Sequence, residues 1–162
     1  MMRVTIEQLP SISGRSIQTT DPIAITQQDI DAFASATGDD QWIHVDPARA
    51  AEGPFGMTIV HGYLMLSLLG GFWTRLLEVT DATEALNYGL DKVRFLRPVA
   101  VDSEITMRGV FREVRVLDAE HVGARLYADV ELHTSGDEGP AVVASTILQY
   151  TRSPSSRPNT GV

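Results

Sequence analysis

The chain has 162 residues, 43% hydrophobic and 21% charged, which fits one globular domain and excludes a disordered chain. It contains no cysteine, which excludes disulfides, thiol nucleophiles and thiolate-bound metal centres. Lys and Arg number 13 against 21 Asp and Glu, and a formal charge of −8 disfavours nucleic acid and anionic membranes as partners.

The first residues, Met1 to Glu7, lack the apolar stretch of a signal peptide. The longest nearly apolar run, Tyr63 to Trp73, is too short for a membrane span, so a cytoplasmic protein is expected. Thr19 to Thr26 alternates loosely, as a strand does. Thr26 then reads as an N-cap with Asp29 closing a capping box, and Ile30, Phe33 and Ala34 predict a helix over 27–36 that Gly38 ends. Residues 39–44 read as a loop. Asp46 and Pro47 predict the start of a second short helix ending near Gly53. A turn follows at 53–56.

From Gly62 to Glu78 the periodicity predicts a third helix. Leu64, Leu68, Phe72 and Leu76 line one face and Met65, Leu69 and Trp73 the next, so the helix should be buried. Gly70 and Gly71 each cost about 1 kcal/mol there relative to Ala, which predicts close approach by another backbone. The second half is rich in β-formers, with strands expected over 87–95, 104–117, 121–133 and 141–150 and turns at 118–120 and 135–139. Helices first and successive antiparallel strands later predict an α+β domain, a long buried helix against a curved antiparallel sheet. The domain should span 1–152. The Ser- and Pro-rich stretch 153–162 should be a flexible tail.

Residues that chemistry would use concentrate in 37–47 and 59–63. Asp39 and His44 admit two readings: a pair sharing one water, or a turn residue and a packed core histidine. Gly62 opens the buried helix, where free N–H groups and the helix dipole favour a developing oxyanion.

The run Gly38-Asp39-Asp40-Gln41-Trp42-Ile43-His44, followed by Ile59-Val60-His61-Gly62, resembles the hydratase motif of the MaoC-like (R)-specific enoyl-CoA hydratases. Gln-Trp-Ile-His-Val-Asp-Pro, Asn87 to Phe95 and Pro98-Val99 resemble the nodulation protein N-like branch. The resemblance covers about Thr26 to Tyr150. It implies a hot-dog fold and a homodimer. It also implies a lyase that hydrates trans-2-enoyl thioesters or dehydrates (3R)-hydroxyacyl thioesters. Asp39 and His44 match the catalytic pair, and the Gly62 N–H matches the oxyanion donor. No metal or cofactor is implied, and the acyl group would ride on coenzyme A or acyl carrier protein. Two departures stand out: Gln41-Trp42 replaces a common Asn-Pro pair, and Gly70 stands where a serine is frequent, with Ser67 nearby but without an assigned role.

Lys92 and Arg94, with Arg97 near, read either as contacts for the substrate carrier or as solvated strand charges. His61 reads as a helix-start residue more readily than a catalytic one. A metal site from His44, Asp46 and His61 lacks a ligand-spacing motif. His121 and His133 are expected on the surface, and Trp42 either walls the site or fills the core. Two further functions compete, a hot-dog thioesterase and a non-catalytic acyl-thioester binding module. Serine hydrolase, P-loop and dinucleotide fingerprints are absent from the sequence.

Overall fold

The computed structural model describes residues 1–117, 122–136 and 139–152. Its elements run β1 (Met2–Val4), a 3-10 turn (Leu9–Ile12), β2 (Ser16–Gln18), β3 (Ile23–Ala24), α1 (Gln27–Thr37), α2 (Trp42–Val45), α3 (Pro47–Ala51), α4 (Gly62–Leu76), β4 (Leu77–Val79), β5 (Glu84–Phe95), β6 (Glu104–Val116), β7 (Val122–Thr134) and β8 (Val142–Arg152).

Local chemistry fixes the helix ends. The Thr26 hydroxyl accepts from the Asp29 N–H while the Asp29 carboxylate accepts the Thr26 N–H at 2.8 Å, the expected capping box. Gly38, at φ 78°, takes the left-handed position that closes α1. Pro47 occupies the first turn of α3, and the Asp46 carboxylate caps it by accepting the Arg49 N–H at 3.0 Å.

The main sheet has six strands, ordered β2-β6-β7-β8-β5, with β3 beside β6. Its pairs are antiparallel throughout. Alternation along β7 and β8 sends Leu126, Ala128, Val130, Ala144 and Leu148 to one face, where α4 buries Met65, Leu69, Phe72 and Trp73. Trp73 stacks on Phe111 of β6 with ring centres 5.9 Å apart. This is the expected α+β architecture, one buried helix against an antiparallel sheet.

Several expectations need correction. The strand expected in 19–26 is only the two-residue β3, and a second short piece, β2, lies just before that stretch; both join β6. Residues 42–45 form a helical turn instead of a loop. The long helix stops at Leu76, because Leu77–Val79 leaves it to pair in parallel with β1. No backbone crowds Gly70 or Gly71: a Cβ at either would meet only the Asn87 or Ile23 side chain, each at 3.8 Å. His133 is buried, not exposed, and its Nε2 lies 2.9 Å from Glu131. The turn at 118–120, His121 and the tail 153–162 lie outside the described residues. Among the described residues, no helix is long and apolar enough to cross a membrane.

Candidate active site

The segment between α1 and α4 is tied down by hydrogen bonds to its own backbone. Gln27 of α1 donates to the His44 carbonyl at 2.8 Å and accepts from the Thr58 hydroxyl at 2.6 Å. The Ile59 N–H donates to the Ile43 carbonyl at 3.0 Å, and the Val60 N–H to the Val99 carbonyl at 2.8 Å. These bonds bring His44 and His61 together. Their rings stack, with centres 3.8 Å apart and planes at 25°.

Each ring is oriented by a carbonyl. His44 Nδ1 lies 2.6 Å from the Ile59 oxygen. A carbonyl only accepts, so Nδ1 carries the hydrogen and the Nε2 of a neutral ring keeps its lone pair. By the same reasoning His61 Nε2 donates to the Asp39 carbonyl at 2.9 Å, while His61 Nδ1 is buried and unpartnered. His61 also packs against Phe33 of α1, with ring centres 5.1 Å apart.

Asp39 is exposed, whereas His44 and His61 are buried. One side-chain ligand atom from each of the three lies within 4.8 Å of the others. Burial pushes the His44 imidazole below its ordinary value, and the neighbouring His61 ring adds to this against the opposing pull of the Ile59 bond and the Asp39 charge. At neutral pH His44 is therefore an uncharged base. The three groups are close enough to hold a metal ion.

His44 opens into a cavity of about 310 Å³ that it lines with Gly62, Met65, Phe95, Arg97 and Val142. His61, the residue before α4, makes no side-chain cap bond, and Gly62, whose N–H is among the unpaired first groups of the helix, lines this cavity. A Cβ at residue 62 would lie 3.0 Å from the Phe95 ring, so glycine is what lets the backbone come this close to the cavity wall.

The structure thus brings Asp39, His44 and Gly62 to one place. It does not bring Lys92 or Arg94 there. Lys92, at φ 52° in a bulge, lines a cavity on the outer sheet face with Arg108 and Arg112. Arg94 lies opposite Val143 on that same face. Arg97 is the basic residue at the site, and it donates to Thr134 Oγ1 at 2.7 Å. Asp46 serves α3 as a cap. Trp42 packs against Gly53 and under the Arg49 guanidinium, 4.5 Å from the ring centre, rather than in the cavity wall. His61 packs at the start of α4, as expected, and its bond to the Asp39 carbonyl is the part that reading the sequence missed. Only the place of His61 directly before Gly62 hinted at its position.

The profile of the MaoC like domain matches residues 8–131. The chain is 41% identical over 146 residues to 3-hydroxyacyl-thioester dehydratase Z of Mycobacterium tuberculosis, covering 90% of this chain and 95% of that protein. It is 38% identical to nodulation protein N of Rhizobium leguminosarum, covering 98% of each chain. Among solved structures it matches an (R)-hydratase of A. caviae involved in PHA biosynthesis with a TM-score of 0.62 and 26% identity, over 84% of this chain and 94% of that one.

Proposed function

Because the chain belongs to the MaoC-like dehydratase family, a hot-dog-fold family, we propose that it reversibly hydrates trans-2-enoyl thioesters to the (3R)-hydroxyacyl form. One observation carries this reading. The Ile59 carbonyl fixes the His44 tautomer so that a basic Nε2 is free beside the cavity that the Gly62 N–H also borders.

The reaction follows from that placement. A water held between Asp39 and His44 gives a proton to His44 Nε2 as its oxygen bonds to C3 of the substrate. The electron pair of the 2,3-double bond moves toward the thioester oxygen, and the enolate charge is met by the Gly62 N–H at the positive end of α4. The imidazolium returns a proton to C2, the carbonyl re-forms, and the net change is addition of one water. Asp39 keeps the water oriented and stabilises the transient charge on His44. His61 touches no reacting atom in this scheme. It positions Asp39 through the main chain and backs the His44 ring.

The acyl group is carried by coenzyme A or acyl carrier protein, with Arg97 nearest the site and Lys92 and Arg94 available only to the outer parts of the carrier. The active form is a homodimer. Every residue of β5 is exposed or half-buried, and Leu86, Tyr88, Leu90 and Phe95 are each about half exposed on this edge strand. An edge of that kind is ready to pair with a second copy.

The test is an assay of the purified protein on a panel of enoyl thioesters, following enoyl absorbance, free thiol and product stereochemistry. Loss of absorbance with (3R)-hydroxyacyl product and no thiol release is expected. Thiol release without hydration would make the protein a thioesterase, and neither change would leave an acyl-thioester binding module.

A further inference from the structure

Beyond the reaction corner, two more cavities follow α4 along its face toward β5. The first, of about 230 Å³, is lined by Tyr63, Leu66, Ser67, Asn87, Leu90 and Leu148. The second, of about 470 Å³, is lined by Gly70, Trp73, Asn87, Leu148 and Tyr150 among others. They share Asn87 and Leu148, so they adjoin. Tyr63 and Phe95, whose rings meet edge-on at 5.7 Å, stand between the nearer cavity and the reaction corner. Both side chains are substantially exposed and can swing without disturbing the core.

The far cavity is unusual in its polar groups. Tyr150 is only 6% exposed, and burial alone pushes its phenol up to about 12, with no hydrogen bond or charge contributing. Trp73 is 4% exposed, and its indole N–H has no partner. Both side chains line the cavity and offer a hydrogen, and the buried, unpartnered Trp73 N–H is costly unless something supplies an acceptor. Glu78, which is paired with Arg3 at 3.0 Å, and Glu84 also line this cavity, and among the described residues no Lys or Arg does, so a carboxylate would find no cationic side chain in the lining to pair with. A neutral oxygen fits.

Gly70 lines the far cavity next to Asn87, one of the two residues that form the neck shared by both cavities. A Cβ there would approach only Asn87 Nδ2, at 3.8 Å, so a larger side chain would grow into the passage and meet no backbone. Along the helix Gly70 lies about 12 Å and Trp73 about 16 Å from Gly62, at 1.5 Å per residue. An extended chain advances roughly 1.2 Å per bond, so about ten bonds of acyl chain reach the neck and about 13 reach the far cavity.

We propose that the acyl chain passes Gly70 and that its far end carries a neutral oxygen, a keto or hydroxyl group, which accepts a hydrogen bond from the Tyr150 hydroxyl. This rests on the enoyl-thioester reading of the reaction corner.

The experiment compares kcat/KM for three coenzyme A thioesters: crotonyl, a plain trans-2-enoyl chain of about 14 carbons, and the same chain with a keto group near its end. The wild-type protein should favour the keto chain over the plain one about 10-fold, the scale of one well-placed hydrogen bond. Tyr150→Phe should abolish that preference while leaving crotonyl turnover and the melting temperature unchanged. Gly70→Leu should lose both long chains and keep crotonyl, whereas Gly70→Ala should keep all three. Equal use of keto and plain chains by the wild type would overturn the proposal, as would a preference that survives Tyr150→Phe. Gly70→Leu slowing crotonyl as much as the long chains would overturn it too. If crotonyl alone is hydrated, the reaction reading stands and this inference fails; if no thioester is hydrated, both fail.

Discussion

The corner around His44 and the edge strand β5 treat burial in opposite ways. At the corner two imidazoles are withdrawn from water, and each is oriented by a backbone carbonyl. On β5, large apolar side chains are about half exposed, and no strand among the described residues covers the outer edge. Burying polar groups is tolerated only where partners are supplied, and those partners here also decide which nitrogen of His44 is basic. Exposing apolar groups in a row is tolerated only where another surface meets them. The first arrangement suits the proposed chemistry and the second the proposed assembly.

The comparison breaks most sharply at the two groups proposed to share a water. Asp39→Asn and His44→Gln should each lower kcat roughly 100-fold or more with the fold intact, and the double variant should be little worse than the poorer single one. Steady-state kinetics beside thermal unfolding check this. Lost stability with normal activity per folded molecule would return both residues to a purely structural role.

On the other side, Leu90→Lys places a charge in the proposed dimer contact. The dimer dissociation constant should rise on the order of 30-fold, because a charge desolvated without a partner is expensive. Sedimentation at several concentrations measures it, and an unchanged constant would move the interface elsewhere.

A finer cut separates support from chemistry within the corner. His61→Phe keeps a ring against His44 but loses the bond to the Asp39 carbonyl, so kcat should fall about 10-fold, the cost of modest misplacement. The acid limb of the rate profile should also move to higher pH, since the His61 ring helps hold His44 below its ordinary value. A drop in stability alone, with the limb unmoved, would reduce His61 to packing.

The gentlest effect is on pH dependence in the unaltered protein. His44 loses its basic form only below the ordinary histidine value, so kcat/KM should stay level near neutrality and fall on the acid side with an apparent pKa below about 6.5. The unfolded chain takes up this proton first as pH falls. It therefore binds more protons than the folded one in the window below 6.5, and stability declines there. His44→Gln should flatten that part of the stability curve.

Elements with strong local signals were readable in advance. The Thr26–Asp29 box, Pro47 after Asp46 and the apolar face of α4 each state their geometry within a few residues. The strand β8 likewise follows from its β-branched Val142, Val143, Thr146 and Ile147. Short pieces were not. Residues 42–45 span barely one turn, too short for any period to emerge, and β4 exists only because β1 pairs with it from the far end of the sequence. His133 escaped for a similar reason: alternation assigns it to the outer face, but the surroundings that bury it come from elsewhere in the chain. At the proposed site, the resemblance picked out Asp39, His44 and Gly62, whereas spacing alone left Asp39 and His44 as readily a turn residue and a packed histidine. The bond from His61 to Asp39 was not legible, because it spans 22 residues and depends on a main-chain oxygen that no sequence pattern marks.

The irregularity of β5 has a bearing on what the protein avoids. Its register against β8 shifts between Asn87 and Gly89 and again between Asp91 and Arg94, with Lys92 in the left-handed region. A straight apolar edge of this length would accept almost any strand and then present a fresh edge to the next, the growth habit of fibrils. Bulges bend and twist the ribbon, so only a strand of matching curvature lies against it. Another copy turned about a two-fold axis has that curvature, and once the two edges meet neither remains open. In the proposed dimer polymerisation would end at the first step, and the bends that end it would leave the apolar side chains in place.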